Sequence, residues 1–196
     1  MEHTRVYYDL HAQTFAEETL QVDMSPLYEH FLPLIPVSGR ILDAGCGSGR
    51  DARAFREFGF TVQAFDASHV MANIASQHLQ AQVEVLRFQD IDWFECFDGI
   101  WACASLLHVP LDQLADALAR LSRALKKDGV LYASFKYGRG EREHNGRRFT
   151  DLDESGLAEL IALAGQLSIV ETWITGDLRP GREAERWLNA LLRKSP

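Results

Sequence analysis

Cysteine is scarce in this chain and badly spaced for chemistry. The 3 thiols, Cys46, Cys96 and Cys103, are odd in number and form no C-x-x-C pair. That excludes a disulfide framework and a thiolate zinc site, and leaves reduced structural thiols. The 7 histidines form no H-x-x-x-H or H-E-x-x-H pair, so no metal site is expected. No apolar run approaches the ~18 residues of a membrane span. The first residues, MEHTRVYYDLHAQTFAEET, are polar and acidic and lack the apolar stretch of a signal peptide, so a cytoplasmic protein is expected. Positive charge is also in short supply. Against 28 Asp and Glu stand 20 Lys and Arg, a net charge of −8, which argues against a nucleic-acid backbone as the main partner.

What is present is an alternation of strands and helices. SPLYEHFLPLI reads as a helix, with Ser25 as N-cap and Pro26 at N1. RILDAG is a short apolar run ending in glycine, read as a buried strand. GRDARAFREFG places Ala54, Phe55 and Phe58 on one helical face and stops at Gly59. TVQAFD is the next strand, and Ser68 caps a helix carrying Val70, Met71, Ile74, Ala75 and His78. VEVLRF and DGIWACAS are the third and fourth strands. Leu111, Leu114, Leu118, Leu121 and Leu125 follow a helical period, with Lys126 and Lys127 in the expected last turn and Gly129 beyond. VLYASF is the fifth strand. Such βαβ units imply a parallel sheet covered by helices on both faces.

The stretch ILDAGCGSGRDA, residues 41–52, carries the first chemical signal. Its glycines follow the first strand and open a helix, the place where open α/β sheets bind ligands. Glycines let a backbone approach a ligand closely. The spacing is G-x-G-x-G rather than the G-x-G-x-x-G of dinucleotide sites, whose third glycine would fall on Arg50. Asp43 directly before the loop would repel a pyrophosphate and suit an ammonium group. Asp66 ends the second strand, 21 residues after Gly45, where an acid can accept the hydroxyls of a ribose. In FQDID, Asp90 can meet an adenine amino group with Ile91 packed on the ring. A ribose, an adenine and a cation near the loop together describe S-adenosyl-L-methionine.

ILDAGCGSG, VQAFDAS, FQDID and FDGIWACASLLHVP resemble the motifs of the class I S-adenosylmethionine-dependent methyltransferases. The likeness extends over the whole chain and is most specific from residue 40 to 135. It implies an α/β fold: a doubly wound, Rossmann-like seven-stranded sheet, mostly parallel with an antiparallel last strand. Residues 1–196 are then a single domain, with a helical lid region at 1–36 and a core at 37–196. Carried over by position, Asp43, Gly45, Gly47, Gly49 and Arg50 would shape the methionine pocket. Asp66 and Ala67 would hold the ribose side, Met71 would pack beside them, Asp90 and Ile91 would meet adenine, and the Ala104 backbone would take the ligand amino group. LLHVP and YASFKYG make the chain look most like the small, tellurite-resistance-type members. The resemblance also makes ERWLNALLRK the final antiparallel strand, paired with SIVETWIT, although its own periodicity fits a helix.

Methyl transfer from a sulfonium needs positioning above all, and a base only where the acceptor must lose a proton. His108, at the end of the fourth strand, is the candidate base, with Lys136 and Tyr137 at the end of the fifth strand as further catalytic candidates. Tyr8 and Phe15, with Tyr7, read either as an aromatic lid or as the packed face of a helix. Arg139, Arg147, Arg148 and Arg182 belong to two basic clusters on an acidic protein and suggest a small, anionic methyl acceptor. In that reading, residues 136–149 form a mobile glycine-containing loop. Two alternatives stay open: a tRNA- or nucleotide-directed methyltransferase, although the N/D-P-P-Y/F/W motif is absent, and a non-catalytic S-adenosylmethionine-binding regulator.

Overall fold

The structure is a computed structural model that describes residues 2–182 and 184–195. One sheet of seven strands runs in the order β3-β2-β1-β4-β5-β9-β8. Its strands are β1 Arg40–Ala44, β2 Thr61–Asp66, β3 Glu84–Val85, β4 Phe97–Ala102, β5 Leu125–Lys136, β8 Leu167–Gly176 and β9 Arg186–Lys194. The first five are parallel, and β9 lies antiparallel between β5 and β8. The chain order reverses between β1 and β4, so a crevice opens beyond their carboxyl ends.

The helices are α1 Glu2–Thr19, α2 Ser25–Phe31, α3 Arg50–Glu57, α4 His69–Leu79, α5 Leu111–Ala124 and α6 Glu154–Ala164. On one sheet face α5 and α6 bury Leu114, Leu118, Leu121, Leu157 and Ile161 against Leu42, Ile100, Leu131, Leu188, Ala190 and Leu192. On the other, α2 and α3 bring Tyr28, Phe31 and Phe55 onto Ile41, Trp101, Tyr132 and Leu191. Each such fully buried side chain contributes roughly 1.5–3 kcal/mol. β9 is therefore a strand with apolar residues on both faces. That explains why ERWLNALLRK looks helical on its own and why the sheet overrides that preference.

Several local readings are corrected. Ser25 does not cap α2; Met24 holds the cap position, and the Ser25 N–H instead donates to Asp23 Oδ1. Phe58 is 61 % exposed, and the buried face of α3 is Asp51, Ala52 and Phe55. Lys126 and Lys127 start β5 rather than end α5. The third strand shrinks to Glu84–Val85, followed by a helical turn at Phe88–Asp90. The Ser68 cap is present, its hydroxyl accepting the Met71 N–H.

Residues 136–149 are not an open loop. They enter a two-stranded hairpin, β6 Gly140–His144 and β7 Arg147–Asp151, closed by Asn145 and Gly146, both with positive φ (50° and 72°). This is the two-residue Asn-Gly turn that matches strand twist. The hairpin stands over the crevice and, with α1, forms its outer wall.

Candidate active site

The crevice is a cavity of about 980 Å³ with two compartments. The first lies over β1, β2 and β4. Gly45, Cys46, Gly47, Ser48, Arg50 and Asp51 line it from the glycine loop, Asp66, Ala67 and Met71 from the β2 end, and Ala104 and Ser105 from the β4 end. Gly45 has φ +75°, and a Cβ there would lie 2.5 Å from Ser105 Cβ, so no side chain fits. Asp66 bridges the loops: Oδ2 accepts the Gly47 N–H at 2.9 Å and Oδ1 the Ser68 N–H at 2.9 Å. Burial pushes its carboxyl above the usual range, against the pull of those N–H groups. Each oxygen retains a lone pair for a hydroxyl from the cavity. Ala104 holds a left-handed turn, φ +51°, with its N–H given to Ser134 Oγ at 2.8 Å.

Asp43 is placed differently from the expectation. It is 2 % exposed, does not line the cavity, and accepts the Ala52 N–H at 3.0 Å beneath α3. Burial, and then the neighbouring Asp51 charge, push its carboxyl well above the usual range. Its role here is to tie β1 to α3 and so shape the loop from below. Beside the glycine loop, the carboxylate that lines the cavity is Asp51 rather than Asp43. Its oxygens accept from Arg50 Nε at 2.6 Å, Tyr28 Oη at 2.6 Å and Trp101 Nε1 at 2.8 Å. Burial would raise it, but the Arg50 guanidinium and the added donors outweigh burial and hold it below the usual range. Gly49 also lies outside the cavity, packed on Ala75 of α4. Asp90 is exposed in an ion pair with Arg87 at 2.6 Å, and Ile91 is fully buried in the α5 core. The cavity at this point is lined instead by Leu86, Arg87, Phe88 and Gln89.

The second compartment is walled by α1, the hairpin and the connection from β8 to β9. Tyr8 and Phe15 line it and stack edge to face at 5.1 Å. His108 lies in a helical turn, Leu106–His108, after β4. Its Nδ1 is 2.7 Å from the carbonyl oxygen of Arg148 and its Nε2 is 2.9 Å from Tyr8 Oη. Burial, reinforced by the Arg147 charge, pushes its pKa down to about 4 although the Arg148 carbonyl pulls the other way. Arg147 lies over the rings of Tyr7 (4.4 Å) and Phe149 (5.3 Å), and its buried Nε has no hydrogen-bond partner.

The other candidates divide. Lys136 is held by Asp177 at 3.4 Å and by Glu185, and sits over the Trp187 ring, so its ammonium is already paired. The Tyr137 hydroxyl donates to Glu154. Arg182 lines the rim. Arg139 lies outside the cavity on Asp153 and Glu159. The Arg148 side chain also points away, onto Glu141; its contribution is backbone, a carbonyl to His108 and an N–H to Thr4 Oγ1. Among the described residues, no group of three or more His, Cys, Asp or Glu is placed to hold a metal ion, and no helix is long and apolar enough to cross a membrane.

A family model described as a methyltransferase domain matches residues 16–161. An uncharacterized methyltransferase of Staphylococcus carnosus is 29% identical over 123 residues, 59% of this chain and 59% of that protein. The malonyl-[acyl-carrier protein] O-methyltransferase of Enterobacter lignolyticus is 35% identical over 98 residues, 47% of this chain and 37% of that protein. The chain thus spans less than two thirds of the length of these curated relatives. Among solved structures, the 1,6-didemethyltoxoflavin-N1-methyltransferase of Burkholderia thailandensis, with 1,6-didemethyltoxoflavin and S-adenosylhomocysteine bound, has a TM-score of 0.78 at 24% identity, covering 100% of this chain and 88% of that one. At that identity the likeness establishes the fold. The resemblance to tellurite-resistance-type members rests on the LLHVP and YASFKYG segments alone.

Proposed function

Because the chain belongs to the methyltransferase domain family, we propose that it transfers the methyl group of S-adenosyl-L-methionine to a small acceptor whose accepting atom carries negative charge as it reacts. The observation that carries this reading is the continuity of the cavity. One space of about 980 Å³ joins the glycine loop and Asp66 to a second compartment holding Tyr8, His108 and Arg147. The first compartment fits the cofactor: Asp66 has lone pairs for a ribose, the backbone at Gly45 and Gly47 carries no side chain, and Ala104 lines the β4 end where the amino-acid end would sit. When bound, that cofactor supplies an activated methyl group. The chain orients both reactants, and such orientation can contribute roughly 7–11 kcal/mol.

In the second compartment, most cations are spent on carboxylates: Lys136 and Arg179 on Asp177, and Arg142 on Asp151. Arg147 lines the cavity, stands on the Tyr7 and Phe149 rings rather than on a carboxylate, and is the group we assign to the acceptor's negative charge. Of the relatives, one is named for N1-methylation of 1,6-didemethyltoxoflavin, a small molecule, and one for O-methylation of malonyl-[acyl-carrier protein]. The test is incubation with methyl-labelled cofactor and a fractionated metabolite pool, alongside calorimetry. Label should pass to a small compound, and S-adenosylhomocysteine should bind more tightly than NAD. The opposite order of affinities, or label that never leaves the cofactor, overturns the reading.

A further inference from the structure

The most constrained group in the second compartment is the Tyr8–His108 pair. A carbonyl can only accept, so the 2.7 Å contact from His108 Nδ1 to the Arg148 oxygen places the ring proton on Nδ1. Nε2 is then a bare lone pair, and Tyr8 Oη at 2.9 Å must donate to it. The arrangement is held from three sides. Tyr8 comes from α1, His108 from the turn after β4, and the Arg148 carbonyl from β7, which the Thr4 hydroxyl secures by accepting the Arg148 N–H at 3.0 Å. Phe149 packs on the imidazole at 5.0 Å and Phe15 on the phenol at 5.1 Å. Both Tyr8 and His108 line the cavity. The pair is thus a proton acceptor with its exit already aligned: any proton placed on Tyr8 Oη displaces the phenol's own proton onto Nε2.

We propose that Tyr8, backed by His108, takes the proton from the methyl acceptor, so that the acceptor enters in protonated form with an acidic N–H or O–H and is methylated on the atom that gives the proton up. The inference rests on the methyl-transfer reading and narrows its acceptor class. The balance is closed. The X–H bond of the acceptor breaks, its proton moves to Tyr8 Oη, and the Tyr8 proton moves to His108 Nε2. The electron pair left on X forms the bond to the methyl group, and one positive charge leaves the sulfonium as one appears on the imidazolium. Tyr8 is the catalytic residue, and His108 acts through it.

The charges around the pair set its strength, and the Arg147 cation weighs against a proton on His108. Arg147 faces both rings from β7, Asp66 and Tyr7 act on the phenol, and Arg179 faces it from the β8–β9 connection. Burial raises the Tyr8 hydroxyl, which stays a phenol between turnovers, and lowers the imidazole, which stays neutral. A sink that weak suits an acceptor that is itself acidic rather than an alcohol. A carboxylate acceptor, already an anion at neutral pH, would give the pair nothing to do.

The pair can be read without any acceptor. In protein carrying nitrogen-labelled histidine, NMR should show His108 as the Nδ1–H tautomer with a hydrogen-bonded, unprotonated Nε2 from about pH 5 upward. Tyr8→Phe should move the Nε2 resonance toward that of a free ring nitrogen. An Nε2–H tautomer, or a ring that titrates near the ordinary value of about 6.5, overturns the proposal. The second measurement uses the labelled compound isolated from the metabolite pool. It should carry the new methyl on a former N–H or O–H. Tyr8→Phe, His108→Gln and the double variant should each lose roughly 100-fold in kcat, the losses failing to multiply because the two residues act as a unit. S-adenosylhomocysteine affinity should hold in all three. A methylated carboxylate, or wild-type kcat in Tyr8→Phe, overturns the relay while leaving methyl transfer intact. Failure of label transfer with the expected NMR result would instead count against the methyl-transfer reading alone.

Discussion

The two compartments of the cavity are built by different means. The side proposed for the cofactor is made chiefly by backbone at consecutive strand ends: the bare Gly45, the Gly47 and Ser68 N–H groups that hold the Asp66 carboxylate, and the left-handed turn at Ala104. The side proposed for the acceptor is made by side chains that converge from α1, the turn after β4, the hairpin and the β8–β9 connection, as far apart as Tyr8 and Asn189. Backbone sites repeat with fixed spacing and tolerate little change. Side-chain sites can be rebuilt by altering any of several segments, which is how one fold serves many acceptors.

The largest expected effect tests the floor of the cofactor side. Asp51→Ala removes the carboxylate from Arg50, Tyr28 and Trp101 together. Denaturant unfolding should show a loss of about 3–5 kcal/mol, the cost of leaving a largely buried charge unpaired. A loss under about 1 kcal/mol would mean that Arg50 finds water and that the network is peripheral. Next, Asp66→Ala should weaken S-adenosylhomocysteine by roughly 1–3 kcal/mol in calorimetry, with the fold retained. Unchanged affinity would place the ribose elsewhere and erase the contrast between the compartments.

His108 supplies a smaller effect, graded by pH. Its folded pKa, about 4, lies below the unfolded value near 6.5. Between those limits the unfolded chain binds a proton that the folded chain refuses. Stability should therefore be fully present above about pH 6.5 and fall as the pH drops toward 4, by up to about 1.4 kcal/mol per pH unit. The raised carboxyls of Asp43 and Asp66 act in the opposite sense at low pH. Subtracting the same curve for His108→Gln isolates the histidine, and parallel curves would show that its ring is solvated. The smallest effect separates two neighbours. Arg147→Ala should raise KM for the labelled acceptor about 10-fold, the loss of one charge-assisted contact, with cofactor affinity unchanged. Arg148→Ala should change KM hardly at all, because its guanidinium is on Glu141 and its carbonyl survives the substitution. Equal effects would mean that net charge, not position, matters.

The same contrast explains what could be read in advance. The sheet, the glycine loop, Asp66 and even the antiparallel β9 follow from spacing and resemblance. Asp43 was legible as important but not as buried, because sequence does not say on which side of a strand end a carboxylate turns. Asp51 went unread because an acid in a first helical turn has an ordinary explanation in the helix dipole. The hairpin carried its Asn-Gly signal openly, yet its first strand, Gly140–His144, is exposed at all five positions and offers no apolar alternation to frame the turn. Arg148 draws attention by its charge, but its guanidinium rests on Glu141 and it is its carbonyl that meets His108, a role no residue type advertises. Asp90 occupies the expected place in the motif, but it stands exposed and paired with Arg87 three residues away.

Helix α1 is tied to several walls of the cavity. Thr4 reaches β7, Tyr8 reaches His108, Asp9 accepts from the Ser68 hydroxyl at 2.6 Å, and the Thr19 carbonyl accepts from Arg50 at 3.3 Å. Its residues thus meet the surroundings of both compartments, and the work of holding the helix in place is common to both ligands. A ligand on one side that tightens α1 would tighten it for the other as well, and by reciprocity such a coupling has the same size in both directions. Calorimetric titrations of the labelled acceptor with and without S-adenosylhomocysteine, and the converse pair, should return one number twice.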